Sequence, residues 1–154
     1  MILNIRKIGD PILRSDTKKV DEISDKTKNL IDNMIETMYS HDGIGLAAPQ
    51  VGVLKQVVVI DTGDKLLEII NPEIISTAGK EIGEEGCLSV PNRTGHVIRA
   101  KKAVVKALNR DGEQFKIDAK DLLARALQHE IDHLNGTLFV DKVVDPKDFD
   151  SIQK

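Results

Sequence analysis

His129-Glu130-Ile131-Asp132-His133 places two histidines four residues apart, in the pattern H-E-x-x-H. On a helix that spacing sets both imidazoles on one face, one turn apart, where they can give two nitrogens to a single metal ion. Glu130 is turned about 100° around the axis from His129, close to such an ion without ligating it. From there it can take a proton from a water bound to the metal. The structural alternative is a pair of surface histidines making ordinary polar contacts with Glu130 and Asp132.

A catalytic metal wants a third protein ligand and leaves a fourth position for water. Downstream of His133 the chain has no histidine and no glutamate, only Asp141, Asp145, Asp148 and Asp150. The third ligand is therefore expected upstream. Cys87, the single cysteine, is the leading candidate, in the glycine-preceded turn Glu84-Glu85-Gly86-Cys87-Leu88-Ser89; a buried free cysteine is the alternative. Two histidines and a thiolate form a soft set that suits zinc or ferrous iron. A third segment, Gly43-Ile44-Gly45-Leu46-Ala47-Ala48-Pro49-Gln50, combines glycines that allow close backbone approach with an amide donor after a proline-fixed turn. By itself it reads as a helix-to-strand loop, and it lacks the strand-then-helix context of a phosphate loop.

These residues need elements to hold them. Ser24-Asp25 can cap a helix running to about Tyr39, because Leu30, Ile31, Met34, Ile35 and Met38 recur at helical spacing. Lys55 to Ile60 is valine-rich and reads as a strand, and Leu66 to Ile75 as a strand with an edge or bulge position at Asn71-Pro72. Gly95 to Leu108 and Glu113 to Ile117 flank Asn109-Arg110-Asp111-Gly112, a hairpin signal. The second helix starts at about Asp118 or Asp121 and stops at Leu134, before Asn135-Gly136. Its apolar residues surround most of its circumference, so protein should cover it on several sides. Strands grouped around two helices, without a βαβ rhythm, predict an α+β fold.

Composition bounds the function. The chain has 154 residues, enough for one domain with its own core, and no linker or repeat divides it. A net charge of -3 argues against a general nucleic-acid binder, and 40% hydrophobic residues against a disordered chain. Aromatic residues are limited to Tyr39, Phe115, Phe139 and Phe149, so stacking platforms for single strands are missing. No apolar run approaches a membrane span, and the start of the chain carries no secretion-type apolar segment. The expectation is a soluble, cytoplasmic protein, with one thiol suited to a reducing compartment.

Taken together and in order, Gly43 to Gln50, Glu85-Gly86-Cys87-Leu88-Ser89 and Gln128 to His133 resemble the three signature motifs of bacterial peptide deformylase. Ile8-Gly9-Asp10-Pro11-Ile12-Leu13-Arg14 is also similar to that family, so the likeness spans nearly the whole chain. The short tail, about 145–154, departs from the long C-terminal helix of some members. The resemblance implies one catalytic domain over 1–154, with antiparallel β-sheets packed around a central helix that bears the metal ligands.

It also implies an activity: removal of the N-formyl group from the formyl-methionine of new polypeptides, releasing formate. Cys87, His129 and His133 would hold one divalent metal, Fe(II) in the native family enzyme, with zinc, nickel or cobalt as substitutes. Glu130 would be the general base and acid, and Gln50 with the Leu88 backbone N–H the oxyanion donors. A thiolate ligand makes oxygen or peroxide sensitivity expected with iron bound. Ile44, Gly45, Leu122 and Ala126 are the expected pocket walls for the methionine side chain. Arg125 falls where an apolar wall residue would be expected, with plain solvent exposure as its alternative. Glu85 and Arg99 are expected to pair behind the Cys87 loop, and His41 and His96 to be structural or exposed. The expected partners are formylmethionyl peptides, with transient ribosome contact as a family-level expectation, a monomeric state and no membrane. A zinc endopeptidase or a non-catalytic metal module are the competing readings; the missing downstream ligand argues against the first, and Glu130 and Gln50 against the second.

Overall fold

The computed structural model describes residues 1–153; Lys154, the last residue of the tail, lies outside the described residues. Ser24 caps α1 (Asp25–Ser40), its hydroxyl accepting from Thr27 N at 3.3 Å, an interaction worth about 1 kcal/mol. β1 (Gly45–Ala47), β2 (Val57–Asp61) and β3 (Leu66–Ala78) follow. After them come β4 (Glu81–Cys87), β5 (Val90–Arg99), β6 (Lys102–Leu108) and β7 (Gln114–Lys120). α2 (Asp121–Leu134) and the short α3 (Pro146–Gln153) complete the chain.

Five strands form one antiparallel sheet in the order β1-β2-β3-β6-β7, while β4 and β5 form a separate hairpin. The sheet is covered on both faces at β2, which is why that strand is apolar at every position but the last, whereas β7 alternates and keeps one face exposed. Val57 and Val59 pack with Ile31, Met34 and Met38 of α1. Val58 and Ile60 point the other way, onto Ala124, Ala126 and Leu127 of α2. A strand sandwiched between helices loses the alternation of a half-exposed one. A third cluster, Leu13, Val90, Val97, Leu138 and Phe139, sits under β5. α2 thus lies between the large sheet and the β4–β5 hairpin, as its nearly all-round apolar surface requires.

Four local expectations need correction. The segment Gly95 to Leu108 is two strands in different sheets, broken at Ala100-Lys101. The break is held by Gln128, which donates to Ala100 O at 3.0 Å and accepts from Ala100 N at 3.0 Å. Of the edge or bulge position expected at Asn71-Pro72, the bulge is present and the edge is not: β3 lies in the middle of the sheet and runs on to Ala78, beyond the expected Ile75, with register shifts after Ile70 and Ile74. Asn71, at φ 53°, makes the first irregularity, and its side chain closes a pair of bonds with the Val20 backbone. The loop after α1 contains β1 and a 3-10 turn over Ala48–Val51. Cys87 is the last residue of β4, at a bulge opposite Val90. The hairpin at Asn109–Gly112 and the α2 stop at Asn135 are as expected, with Gly136 at φ 75°.

Candidate active site

α2 and the end of β4 bring Cys87, His129 and His133 together. One ligand atom from each lies within 4.8 Å of the others, and Cys87 Sγ stands 3.4 Å from His133 Nε2. The expected set therefore converges, the two histidines one turn apart on α2 and Cys87 brought to them by the packing of the β4–β5 hairpin on that helix.

Both histidines are buried, and one is oriented by a carboxylate. His129 Nδ1 donates to Glu85 Oε1 at 2.8 Å, which leaves Nε2 to face Cys87 and His133. Glu85 is itself gripped by two guanidinium groups. Arg99 Nη2 and Nε reach its two oxygens at 2.9 Å each, and Arg125 Nη1 reaches Oε2 at 2.6 Å. Burial opposes ionisation of Glu85, but the Arg99 and His129 hydrogen bonds outweigh it and hold the carboxyl well below its usual range. Arg99 continues to Asp132, which also pairs with Lys142 at 2.9 Å. The pairing of Glu85 with Arg99 expected from sequence is present. Arg125, Asp132 and Lys142 extend it, and of these only Arg125 carried a sequence signal, a charge on an apolar stripe.

Glu130 is buried, and its Oε1 has no hydrogen-bond partner among the described residues. Desolvation pushes its pKa up to about 7, against the pull of His129. Burial also works against charge on His129, yet the Cys87 sulfur, Glu85 and Glu130 outweigh it and push that imidazole up to about 10. His133, desolvated and beside a charged His129, is pushed well below its ordinary value. With two imidazoles and a thiol converging and an orphaned carboxylate oxygen beside them, the residues fit a divalent metal.

Gln50 is fixed at the other side of the cleft. Ala47 N donates to its Oε1 at 2.9 Å, so its amide nitrogen points to Cys87 Sγ at 3.4 Å and Ser89 Oγ at 3.1 Å. Gly45 of β1 lies against Glu130. Ile44, Gly45, Leu88, Leu122, Ala126 and Arg125 line a cleft of about 430 Å³ that opens onto Glu130 and Cys87. Ile44 and Leu122 are 44% and 49% exposed, apolar groups left uncovered at its rim. Arg125, by contrast, is only 8% exposed, so the solvent-exposed alternative is ruled out. His41 is exposed, with Nδ1 against Thr37 O at 2.9 Å, and His96 is half-buried.

Comparison with known proteins points to one family. Residues 2–149 match the family model for polypeptide deformylase. The chain is 66% identical over 145 residues to a peptide deformylase of Halothermothrix orenii, covering 93% of this chain and 94% of that one. A peptide deformylase of Acetivibrio thermocellus is 57% identical, with 97% and 88% covered. Among solved structures, the Thermotoga maritima peptide deformylase superposes with a TM-score of 0.92 at 42% identity, covering 94% of this chain and 99% of that one. An Acinetobacter baumannii peptide deformylase solved with Met-Ala-Ser bound gives 0.89 at 36% identity, with 93% and 99% covered. With its folding pattern, its converging ligands and these likenesses in agreement, the chain belongs to the polypeptide deformylase family.

Proposed function

We propose that this chain, acting as a single catalytic domain, hydrolyses the N-formyl group of formyl-methionyl peptides through a metal centre at Cys87, His129 and His133. The observation that carries the reading is the convergence of those three ligand atoms within 4.8 Å, beside a buried, unpartnered Glu130. A divalent ion held there would supply Lewis acidity to the formyl oxygen and acidify a water molecule. Fe(II) is the proposed ion, with zinc, nickel or cobalt able to substitute on the same soft donor set.

The chain's own residues do the rest. Glu130 takes a proton from the attacking water, as a carboxylate poised near neutrality can. The Gln50 amide and the Leu88 backbone N–H donate to the oxygen that becomes negative when water adds to the formyl carbon. Glu130 then returns the proton to the amine nitrogen as the C–N bond breaks, giving formate and a free N-terminus. Ile44, Gly45, Leu122 and Ala126 flank the methionine side chain, and the Met-Ala-Ser bound to the Acinetobacter baumannii relative supports a peptide in the cleft.

No helix among the described residues is long and apolar enough to cross a membrane. A cytoplasmic, monomeric enzyme that meets nascent chains in transient contact with the ribosome completes the proposal. Incubating the metal-loaded protein with formyl-Met-Ala-Ser and with unformylated Met-Ala-Ser tests it. Formate and intact Met-Ala-Ser from the first, with no cleavage of the second, are expected. Internal cleavage of the unformylated peptide would instead indicate an endopeptidase.

A further inference from the structure

Arg125 puts hydrogen-bond donors into a wall that the helix pattern reserves for an apolar side chain. Arg125 lines the cleft with Leu122, Ala126 and His129 while remaining 8% exposed. It fits there because residue 83 is glycine. A Cβ at Gly83 would stand 3.0 Å from Arg125 Cζ, 3.1 Å from Nε and 3.2 Å from Nη2, so the guanidinium occupies the space a side chain would take.

Of the five N–H bonds of a guanidinium, three are committed within the protein. Nη1 donates to Glu85 Oε2 at 2.6 Å and to Val97 O at 3.0 Å, and Nη2 to Glu81 O at 3.1 Å. The Nε proton and the second Nη2 proton have no acceptor among the described residues. The wall is not a net positive one, however. Arg125 and Arg99 face the carboxylates of Glu85 and Asp132, and the Glu81 carboxylate is 3.8 Å from Arg125. Spare donors without spare charge favour a neutral acceptor over an anion.

Resting on the deformylase reading, we propose that Arg125 sets the specificity of the first-residue pocket, so that formyl-methionine sulfoxide peptides are substrates alongside formyl-methionine ones. A thioether sulfur is a weak acceptor, whereas oxidation to the sulfoxide makes the same side chain polar and chiral. A wholly apolar pocket would reject that oxygen, because it would be buried without a partner. Here a charge-assisted N–H is available to it. The reaction itself is unchanged: water adds, the formyl C–N bond breaks and formate leaves.

The test is formate release from formyl-Met, formyl-norleucine and the two separated formyl-Met sulfoxide epimers, each as the same tripeptide. The metal-loaded protein is compared with Arg125→Met and with Gly83→Ala, which displaces the guanidinium without removing it. The wild-type protein is expected to use one epimer within about tenfold of formyl-Met, and to prefer it over the other. Both variants should lose about tenfold more kcat/KM on that sulfoxide than on norleucine, the worth of one hydrogen bond to a charged group. Rejection of both epimers by the wild type, or equal losses on all substrates in both variants, would overturn the inference and leave Arg125 only as a brace for Glu85. Formate from none of the peptides would overturn the deformylase reading itself, and the inference with it.

Discussion

Gly45 and Glu130 lie so close that a Cβ on Gly45 would stand 2.6 Å from Glu130 Oε2 and 3.0 Å from its carboxyl carbon. The second glycine of the Gly43-Ile44-Gly45 segment is thus the space into which the carboxylate fits. Gly45→Ala must move either β1 or the carboxylate. Because β1 is paired with β2 across Gly45–Ala47, the carboxylate is the softer of the two. We expect kcat to fall at least about tenfold, as for a displaced general base, while metal content and melting temperature stay near wild type. Steady-state kinetics and metal analysis on one preparation check this.

Glu130→Gln should lower kcat by about a hundredfold to ten-thousandfold, the usual contribution of a positioned acid–base group. The same substitution has a signature in the metal-free protein. The folded pKa of Glu130, about 7, lies above the unfolded value of 4.5. Folding therefore holds the proton more tightly, and the stability tied to it is complete below pH 4.5 and lost as pH rises through 7. Metal-free Glu130→Gln is expected to melt above the metal-free wild type at pH 8 and level with it near pH 4. Thermal melts across that range would contradict the burial argument if the gap failed to grow with pH.

Much of this was readable in the chain because the signals were local. The cap at Ser24, the stripe of α1, the Asn109–Gly112 turn and the spacing of His129 and His133 depend on residues a few positions apart. The unread parts depend on distant partners. β4 is polar and glycine-rich, and is a strand because β5 pairs with it. The break at Ala100-Lys101 falls in the charged stretch Arg99-Ala100-Lys101-Lys102, which has no glycine or proline to mark a turn, and Gln128 holds it from another element. Arg125 stood out as a charge on an apolar stripe, but its burial depends on Gly83 and Glu85, which only the fold brings beside it.

Gln50→Ala removes the amide held between Ala47 N and Ser89. A fall in kcat of about a hundredfold to a thousandfold is expected, with KM little changed, as for loss of one preorganised oxyanion donor. A change confined to KM would reassign Gln50 to substrate binding.

Glu85→Gln keeps the shape of the carboxylate but halves its acceptors, where Arg99, Arg125 and His129 all converge. Metal affinity should drop about tenfold to a hundredfold, the usual effect of disturbing a ligand's own hydrogen-bond partner. Competition with a chromophoric chelator measures it, and unchanged affinity would mean that His129 is oriented by packing alone.

On the proposed reading, Cys87, His129 and His133 hold the one metal that formate release requires. The direct measurement is metal content and formate release from formyl-Met-Ala-Ser, on the same samples of oxygen-free wild type and Cys87→Ala. About one ion per chain and rapid release are expected for the wild type, and for the variant the loss of both together. Full release by a metal-free Cys87→Ala, or one tightly bound ion in the wild type with no release after reloading with iron, nickel or cobalt, would contradict it.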